Sequence, residues 1–249
     1  MTDDDIKLYL VGGAVRDRLL GLPVKDFDYT VVTRSHPYGP HQLASDAFAD
    51  MREYLLEKGF NIFLETPEYF TIRARFPKGH VNEKQTADFV LARFDGPYSD
   101  GRRPDYVGAG TLQDDLLRRD FTVNAMAEDE DGNIIDLFDG QFHLGKRLLV
   151  AVGDPRDRFL EDALRVFRAL RFSITKDFKI SSDTRQAMHN VGVLDKVEEV
   201  SVERIREEMH RCFAHDTVRT VSVLAHEFPE LLGVLDRKGI WLKPTLEKK

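Results

Sequence analysis

The sequence is poor in cysteine, in long apolar runs and in excess positive charge. Cys212 is the single cysteine among 249 residues, which excludes an internal disulfide and fits a reducing compartment. No apolar run is long enough to cross a bilayer, and the acidic amino terminus has no signal-peptide pattern. We therefore expect a cytoplasmic protein without a membrane partner.

The net charge is −7, whereas proteins that bind nucleic acid mainly through charge are normally basic. This balance excludes a generic electrostatic nucleic-acid binder, but it is compatible with an enzyme that has a local basic groove. The chain is long enough for one large domain or two smaller ones. Arginines cluster in three places: Arg102–Arg103, Arg118–Arg119, and Arg165, Arg168 and Arg171.

A glycine pair follows the first predicted strand. Leu8–Val11 is a short apolar run bounded by glycine, which predicts a buried strand. Gly12 and Gly13 allow a tight turn and a close approach of the backbone to a ligand. The residues that follow are helix formers, so the pair lies at a helix amino terminus, where free N–H groups favour phosphate.

Two aspartates lie on the next predicted strand. Asp26 and Asp28 alternate with Phe27 and Tyr29, so both carboxylates point to one face. Paired carboxylates repel unless a cation lies between them, and hard oxygen ligands near phosphate indicate magnesium. A solvated acidic strand edge is the alternative for Asp-x-Asp alone. The upstream Gly-Gly-x-x-Arg-Asp motif favours a site for a metal–triphosphate complex.

Further strand candidates are rich in aromatic and branched residues, and together with the first two they predict a mixed five-stranded sheet with helices packed on it. One of them, Thr86–Phe94, contains Asp88, which could complete a metal site or accept a proton. A simple strand-edge charge is the alternative for Asp88. The other two candidates are Asn61–Glu65 and Tyr69–Phe76. Two later segments, Ile134–Phe138 and Arg147–Val152, are predicted as closing strands with a small helix between them.

A second dense motif runs from Thr111 to Ala127. Thr111 and Asp114 form an N-cap pattern for a short helix. The polar residues that follow suit ribose and phosphate, since arginine forks bind phosphate oxygens and Asn or Asp binds sugar hydroxyls. A salt-bridged connection between helix and strand is the alternative. The candidate residues are Arg118, Asp120 and Asn124.

The pattern becomes helical after Gly153, which predicts a first domain over residues 1–153 and a helical part over 154–249. Arg158–Phe172 predicts one amphipathic helix, on which Asp162 and Arg165 are neighbours one turn apart. An internal ion pair on such a helix is the structural alternative. Glu203–Glu208 has by itself the pattern of a charged solvated face.

These motifs resemble the class II tRNA nucleotidyltransferases, the family of bacterial-type CCA-adding enzymes and bacterial poly(A) polymerases. The resemblance rests on Val11–Asp17, Lys25–Asp28, the Arg-Arg-Asp-Phe-Thr-x-Asn-Ala segment, and Glu-Asp-x-x-Arg-x-x-Arg-x-x-Arg from Glu161. It implies an α+β fold with a polymerase-beta-like head followed by an all-helical neck. It also implies template-independent addition of C and A to tRNA 3′ ends from CTP and ATP.

The resemblance assigns roles to the candidate residues. Asp26 and Asp28 would hold two Mg²⁺ ions, with Asp88 as third ligand or base. Asp162 would accept from the amino group of cytosine or adenine, while Arg165 would donate to the neighbouring ring nitrogen. The remaining nucleotide contacts fall on phosphate or ribose: Gly12, Gly13, Arg16, Arg168 and Arg171 on phosphates, and Arg118, Asp120 and Asn124 on the ribose and phosphate side.

The sequence ends at Lys249, so the resemblance predicts a carboxy-terminally shortened version in which the family's body and tail domains are missing or vestigial. An oligomer that supplies the missing tRNA-binding surface is one hypothesis. Within the class, A-adding, CC-adding and poly(A)-synthesising activities remain alternatives. A non-catalytic RNA-binding or nucleotide-binding protein, or a toxin-like transferase with another target, is the alternative outside it.

Overall fold

The computed structural model describes residues 6–33, 42–95 and 107–240. Within these ranges the chain divides into a sheet unit that runs to Leu144 and a helical unit that begins at Gly145. A domain boundary at Gly153 stays a prediction. The arginine pair at 102–103 lies outside the described residues, and no helix within the described ranges has the length and hydropathy of a membrane span.

The sheet unit is built on a seven-stranded sheet. Its strands are β1 (Ile6–Val11), β2 (Phe27–Thr33), β3 (Asn61–Thr66), β4 (Thr71–Arg75), β5 (Thr86–Leu91), β8 (Met126–Glu128) and β9 (Ile134–Asp136). They lie in the order β3-β4-β5-β2-β1-β8-β9. β2 and β5 are parallel and all other neighbours are antiparallel. β6 (Arg93–Asp95) and β7 (Val107–Ala109) form a separate antiparallel pair.

The predicted mixed sheet with helices and a following helical part is confirmed, but the sheet is two strands wider than the five predicted. Of the two added strands, β9 lies within Ile134–Phe138, which is predicted as a closing strand. β8 has three residues, too few to show a period-two pattern. The segment 147–152, predicted as a closing strand, contributes only Leu148–Leu149 (β10). β10 pairs with β11 (Lys179–Ile180) in the helical unit and does not join the sheet.

The two faces of β2 have different environments, and this difference positions the candidate site. Phe27 and Tyr29 pack into an aromatic cluster, with Phe27 at 5.3 Å from Phe76 and Tyr29 at 5.1 Å from Phe89 between ring centroids. Asp28 and Thr30 alternate with these rings and therefore face the other side. The acids thus lie on the face of the sheet opposite the aromatic cluster.

Helices complete both units. The sheet unit contains α1 (Gly13–Leu19), α2 (Gln42–Glu57), α3 (Leu112–Leu117) and α4 (Gly140–Gly145). The helical unit contains α5 (Pro155–Glu161), α6 (Leu164–Thr175), α7 (Ser182–Met188), α8 (Val191–Glu199), α9 (Val202–His215), α10 (Thr217–His226) and α11 (Pro229–Arg237). Polar residues that cap the amino termini set many of these starts. Examples are Asp154, Ser181, Asn190 and Asp216.

Candidate functional site

The glycine turn occurs where the sequence predicts it. β1 ends at Val11, and Gly12 adopts a positive φ of 71° before α1 begins at Gly13. A Cβ atom on Gly12 would lie 3.0 Å from Nη1 of Arg119. The positive φ favours glycine at this position, and a larger residue would also have to shift the Arg119 guanidinium group.

The structure brings the acids of β2 and β5 together. Asp28 and Asp88 are register partners in the parallel pair, and Asp26 lies one residue before β2 rather than within it. Asp28 keeps solvent access, yet the surrounding protein partly desolvates it. This desolvation raises the pKa of Asp28, and the negative charges of Asp88 and Asp26 raise it further, whereas Arg119 lowers it.

The chemistry of these acids suits magnesium. They supply hard oxygen donors, and their mutual repulsion, which raises the pKa of Asp28, is relieved by a bound cation. Over residues 6–33, 42–95 and 107–240, no three His, Cys, Asp or Glu side chains are arranged to hold a metal ion. Asp88 is instead held by Arg73 of β4, with Nε–Oδ1 and Nη2–Oδ2 distances of 2.5 and 2.7 Å.

A buried aspartate of α3 lies beneath this face of the sheet. Asp115 has no exposed surface and accepts hydrogen bonds from Arg118 Nη2 at 2.5 Å and Arg119 Nη2 at 2.8 Å. Thr30 of β2 donates a third bond to it at 2.8 Å. Burial by itself raises the pKa of Asp115, but Arg119 and Arg118 outweigh burial and lower this pKa to about 2. The carboxylate is therefore charged and fully paired.

A second polar chain joins α1 to the motif that follows α3. Arg16 Nη1 donates to Asn124 Oδ1 at 2.5 Å, and Asn124 Nδ2 donates to Asp120 Oδ1 at 3.0 Å. All three residues are buried. Asp120 also accepts from the backbone N–H of Phe121 at 2.8 Å. The structure thus assembles three of the predicted nucleotide-binding residues into one network, although 108 positions separate Arg16 from Asn124.

The sequence-based candidates omit four residues that the structure places in this region. Asp115 lies on α3, and Arg118 and Arg119 follow its end at three and four positions from Asp115. This spacing predicts contact and could have been used. Thr30 follows Asp28 by two positions and shares its face. Arg73 has no comparable local signal, because only the strand register places it beside Asp88.

In the helical unit, the expectation of one continuous helix across Arg158–Phe172 is wrong. α5 ends at Glu161 and α6 begins at Leu164, while Asp162 has extended φ and ψ of −145° and 99°. The Asp162 carboxylate accepts a hydrogen bond from the backbone N–H of Leu164 at 3.2 Å. Such a bond from side chain to nearby backbone competes with the hydrogen bonds that would continue the helix. Its other oxygen accepts from Arg204 Nη2 of α9 at 2.8 Å.

The arginines of α6 have carboxylate and carbonyl partners within the helical unit. Arg165 is buried, and its Nη1 donates to Glu161 at 2.9 Å and to the carbonyl of Arg158 at 2.9 Å. Arg171 pairs with the buried Glu208 of α9, and Arg168 Nη1 lies 3.9 Å from the same carboxylate. Glu208 and Arg204 therefore link α9 to α6 and its start and act as a brace. The other charged residues of the segment, Glu203, Arg206 and Glu207, are exposed.

Comparison with known proteins places this arrangement in a family. The protein-family model for the poly A polymerase head domain matches residues 8–150. A CCA-adding enzyme of Lactococcus lactis subsp. cremoris (strain MG1363) is 39% identical over 247 residues, which is 99% of this chain and 56% of that enzyme. The chain thus spans about half the length of the curated relatives it matches.

Solved structures agree with the sequence comparison. The crystal structure of Bacillus stearothermophilus CCA-adding enzyme in complex with CTP is 30% identical, with a TM-score of 0.70, covering 94% of this chain and 52% of that one. A tRNA nucleotidyltransferase complexed with a primer tRNA and an incoming ATP analog is 28% identical, with a TM-score of 0.62, covering 94% and 58%. The chain belongs to the poly(A) polymerase head domain family, as the motif resemblance predicts.

Proposed function

We propose that the chain carries out template-independent nucleotidyl transfer, adding C and A to tRNA 3′ ends from CTP and ATP. The observation that carries this proposal is the placement of Asp28 beside Asp88, with Arg119 within electrostatic reach of Asp28 and packed on the Gly12 turn. Acids for a metal and a cation over a glycine turn suit a metal–triphosphate complex. The names of the relatives support the same activity.

In this proposal Asp26 and Asp28 would hold two Mg²⁺ ions, which would supply charge neutralisation at the triphosphate and activation of the primer hydroxyl. The primer 3′ oxygen forms a bond to the α-phosphorus, and the bond from that phosphorus to the β-phosphate oxygen breaks, releasing pyrophosphate. We assign Asp88 as third ligand or as the base that takes the proton of the primer hydroxyl, and either role requires it to leave Arg73. Gly12, Gly13 and Arg16 take phosphates.

The ribose and phosphate side is assigned to the network of the sheet unit. Asp120 and Asn124 are buried and hydrogen-bonded to each other, so their remaining polar atoms are held in fixed directions. Preorganised groups lose little entropy when a ligand binds. Arg118, held on Asp115, belongs to the same set.

Base selection is assigned to the helical unit. Asp162 accepts from Arg204, and Arg165 is fixed by Glu161 and the Arg158 carbonyl. A carboxylate accepts from the amino group of cytosine or adenine and repels the carbonyl of uracil or guanine. A site with buried polar groups rejects the wrong base because those groups would be left unpaired. Arg168 and Arg171 are assigned to the triphosphate in the same proposal.

The test uses tRNA that lacks its terminal CCA, Mg²⁺ and each labelled nucleoside triphosphate separately. We expect label from CTP first, and label from ATP only after CTP has been added. Label from CTP alone would indicate CC-adding activity instead. Label from ATP alone would indicate A-adding or poly(A) activity. Label from UTP or GTP would contradict the assigned base selection.

A paired set of variants tests the metal assignment. Replacing Asp26 and Asp28 together by alanine should reduce incorporation to background and leave the circular dichroism spectrum unchanged. The matched control is Asp131→Ala, an exposed acid in a turn of the same unit, which should retain full incorporation. Retained activity in the double variant rules out the carboxylate assignment.

A further inference from the structure

The buried carboxylate of Asp115 is placed to control the direction of an arginine at the phosphate turn. We propose that Asp115 is a positioning residue: it holds Arg119 over the Gly12 turn, where the guanidinium meets the triphosphate of the incoming nucleotide. This inference rests on the nucleotidyl transfer proposed above and adds a residue to it.

The first support is the number of donors on one buried acid. Arg119 donates to Asp115 Oδ2 through Nη2 at 2.8 Å and through Nε at 3.3 Å. Arg118 donates to Oδ1 through Nη2 at 2.5 Å and through Nε at 3.2 Å. Both guanidinium groups are thus held side-on, and the planar fork of arginine fixes their orientation as well as their position.

The second support is the location of the Arg119 guanidinium. Its Nη2 lies 3.3 Å from Thr30 Oγ1 on β2, and its Nη1 lies 3.0 Å from the position of a Cβ on Gly12. Its charge also lowers the pKa of Asp28. One side chain therefore lies between the glycine turn and the acidic residues, the two features that the triphosphate and its metal would engage.

The third support is charge. One arginine is enough to neutralise a buried carboxylate, but Asp115 holds two. The three side chains therefore carry a formal net charge of +1, which suits a polyanion. A long arginine side chain loses rotamer entropy when it binds, and holding it in advance lowers that cost. The pair of arginines is thus better suited to ligand binding than to stability alone.

The experiment measures Mg²⁺–CTP and inorganic tripolyphosphate binding to the whole chain by calorimetry, together with steady-state incorporation. Asp115→Asn keeps the side-chain size but loses the negative charge that holds the guanidinium groups of Arg118 and Arg119. We expect Kd for both probes to rise about tenfold, as for a charged hydrogen bond misdirected in a binding site. KM for CTP should rise with it, more than kcat falls.

A double-mutant cycle separates positioning from structural support. Arg119→Gln removes the guanidinium that Asp115 is proposed to direct. If Asp115 acts through Arg119, Asp115→Asn should raise Kd clearly less in that background than in the wild-type chain, because coupled residues are not additive. Part of the effect remains, since Asp115 also holds Arg118. Equal effects of Asp115→Asn with and without Arg119 would overturn the inference.

The matched control is Asp114→Asn, on the same helix. Asp114 closes the capping box of α3 with Thr111, so its loss should lower the melting temperature and leave Kd unchanged. If Asp115→Asn does not fold at the assay temperature, Thr30→Val replaces it, since this near-isosteric change removes only the β2 hydroxyl. We expect about a threefold rise in Kd for that variant, and an unchanged Kd would overturn the inference.

The wild-type chain distinguishes the two proposals. Failure of the wild-type chain to bind either probe would contradict the proposed function itself. Binding by the wild-type chain with an unchanged Kd in Asp115→Asn would overturn only the role of Asp115.

Discussion

Arg73 and Asp88 are register partners on neighbouring antiparallel strands, and their side chains form a two-bond fork at 2.5 and 2.7 Å. Asp88 is in turn the register partner of Asp28 on its other side. The third acid of the proposed metal site is therefore neutralised by a cation from outside that site. A metal ion that uses Asp88 has to compete with this fork.

Replacing Arg73 by alanine should strengthen divalent cation binding. Arg73 is half exposed, so its pair with Asp88 contributes at most about 1 kcal/mol. Converted to a ratio of affinities, this free energy predicts a roughly two- to fivefold gain in Mn²⁺ affinity. Electron paramagnetic resonance of bound Mn²⁺ measures the change. Arg75→Ala is the control, because Arg75 lies on the same strand opposite Thr86 rather than an acid. Equal affinities in all three proteins would contradict the competition.

Replacing Gly12 by alanine should reduce both stability and nucleotide binding. The positive φ costs an L-residue about 1–3 kcal/mol, and the new Cβ would lie 3.0 Å from Arg119 Nη1, displacing it. Chemical denaturation measures the first effect and CTP binding the second. Gly21→Ala separates the two, since its φ is also positive at 68° but nothing lies within 4 Å of its Cβ position. Loss of CTP binding in Gly21→Ala as well would argue against the Arg119 contact.

The free energy of unfolding of the sheet unit should decrease at acid pH because Asp115 becomes protonated. The pKa of this group is lowered from 3.8 to about 2 in the folded chain, so between these values the unfolded chain binds more protons. The resulting stabilisation is present above about pH 4 and is lost as the pH falls toward 2; it amounts to about 2 kcal/mol. Urea denaturation across this range measures it. Asp115→Asn should show a shallower dependence on pH, and an identical slope would refute the pairing.

The brace of the helical unit should be sensitive to loss of one charge. Glu208 is 5% exposed and pairs with Arg171. Burial lowers the pKa of Arg171 below its usual value, and the charge of Glu208 partly offsets this effect. Glu208→Gln leaves a buried guanidinium without a counter-charge, so we expect a loss of about 3 kcal/mol in unfolding free energy.

The adjacent Glu207 provides the control for that measurement. Its side chain is 64% exposed and pairs with Arg211 on the same helix, an interaction that contributes about 0.3–0.5 kcal/mol. Glu207→Gln should therefore melt within a degree or so of the wild-type chain. Similar losses in both variants would show that the helix face, and not the buried pair, is responsible.

Local features of this chain follow from its sequence because they depend on residues that are close along it. The glycine turn after a short apolar run, the cap at Thr111 and the alternation of Phe27 with Asp28 require only backbone preferences and strand geometry. The motif spacing also identifies the family, which the comparisons confirm. The exception is Asp162, where a bond from the Leu164 N–H interrupts a helix that the apolar pattern predicts to be continuous.

Only the tertiary structure decided which distant side chains meet. Arg16 reaches Asn124 across the chain, Arg73 meets Asp88 through strand register, and Asp162 pairs with Arg204 at a helix break. None of these pairs has a helical spacing, and strand register depends on the packing of the whole sheet. The sequence by itself thus determined the residue types and the local turns of the candidate site. Long-range packing determined the partners, because each buried charge is stable only where a matching group is brought to it.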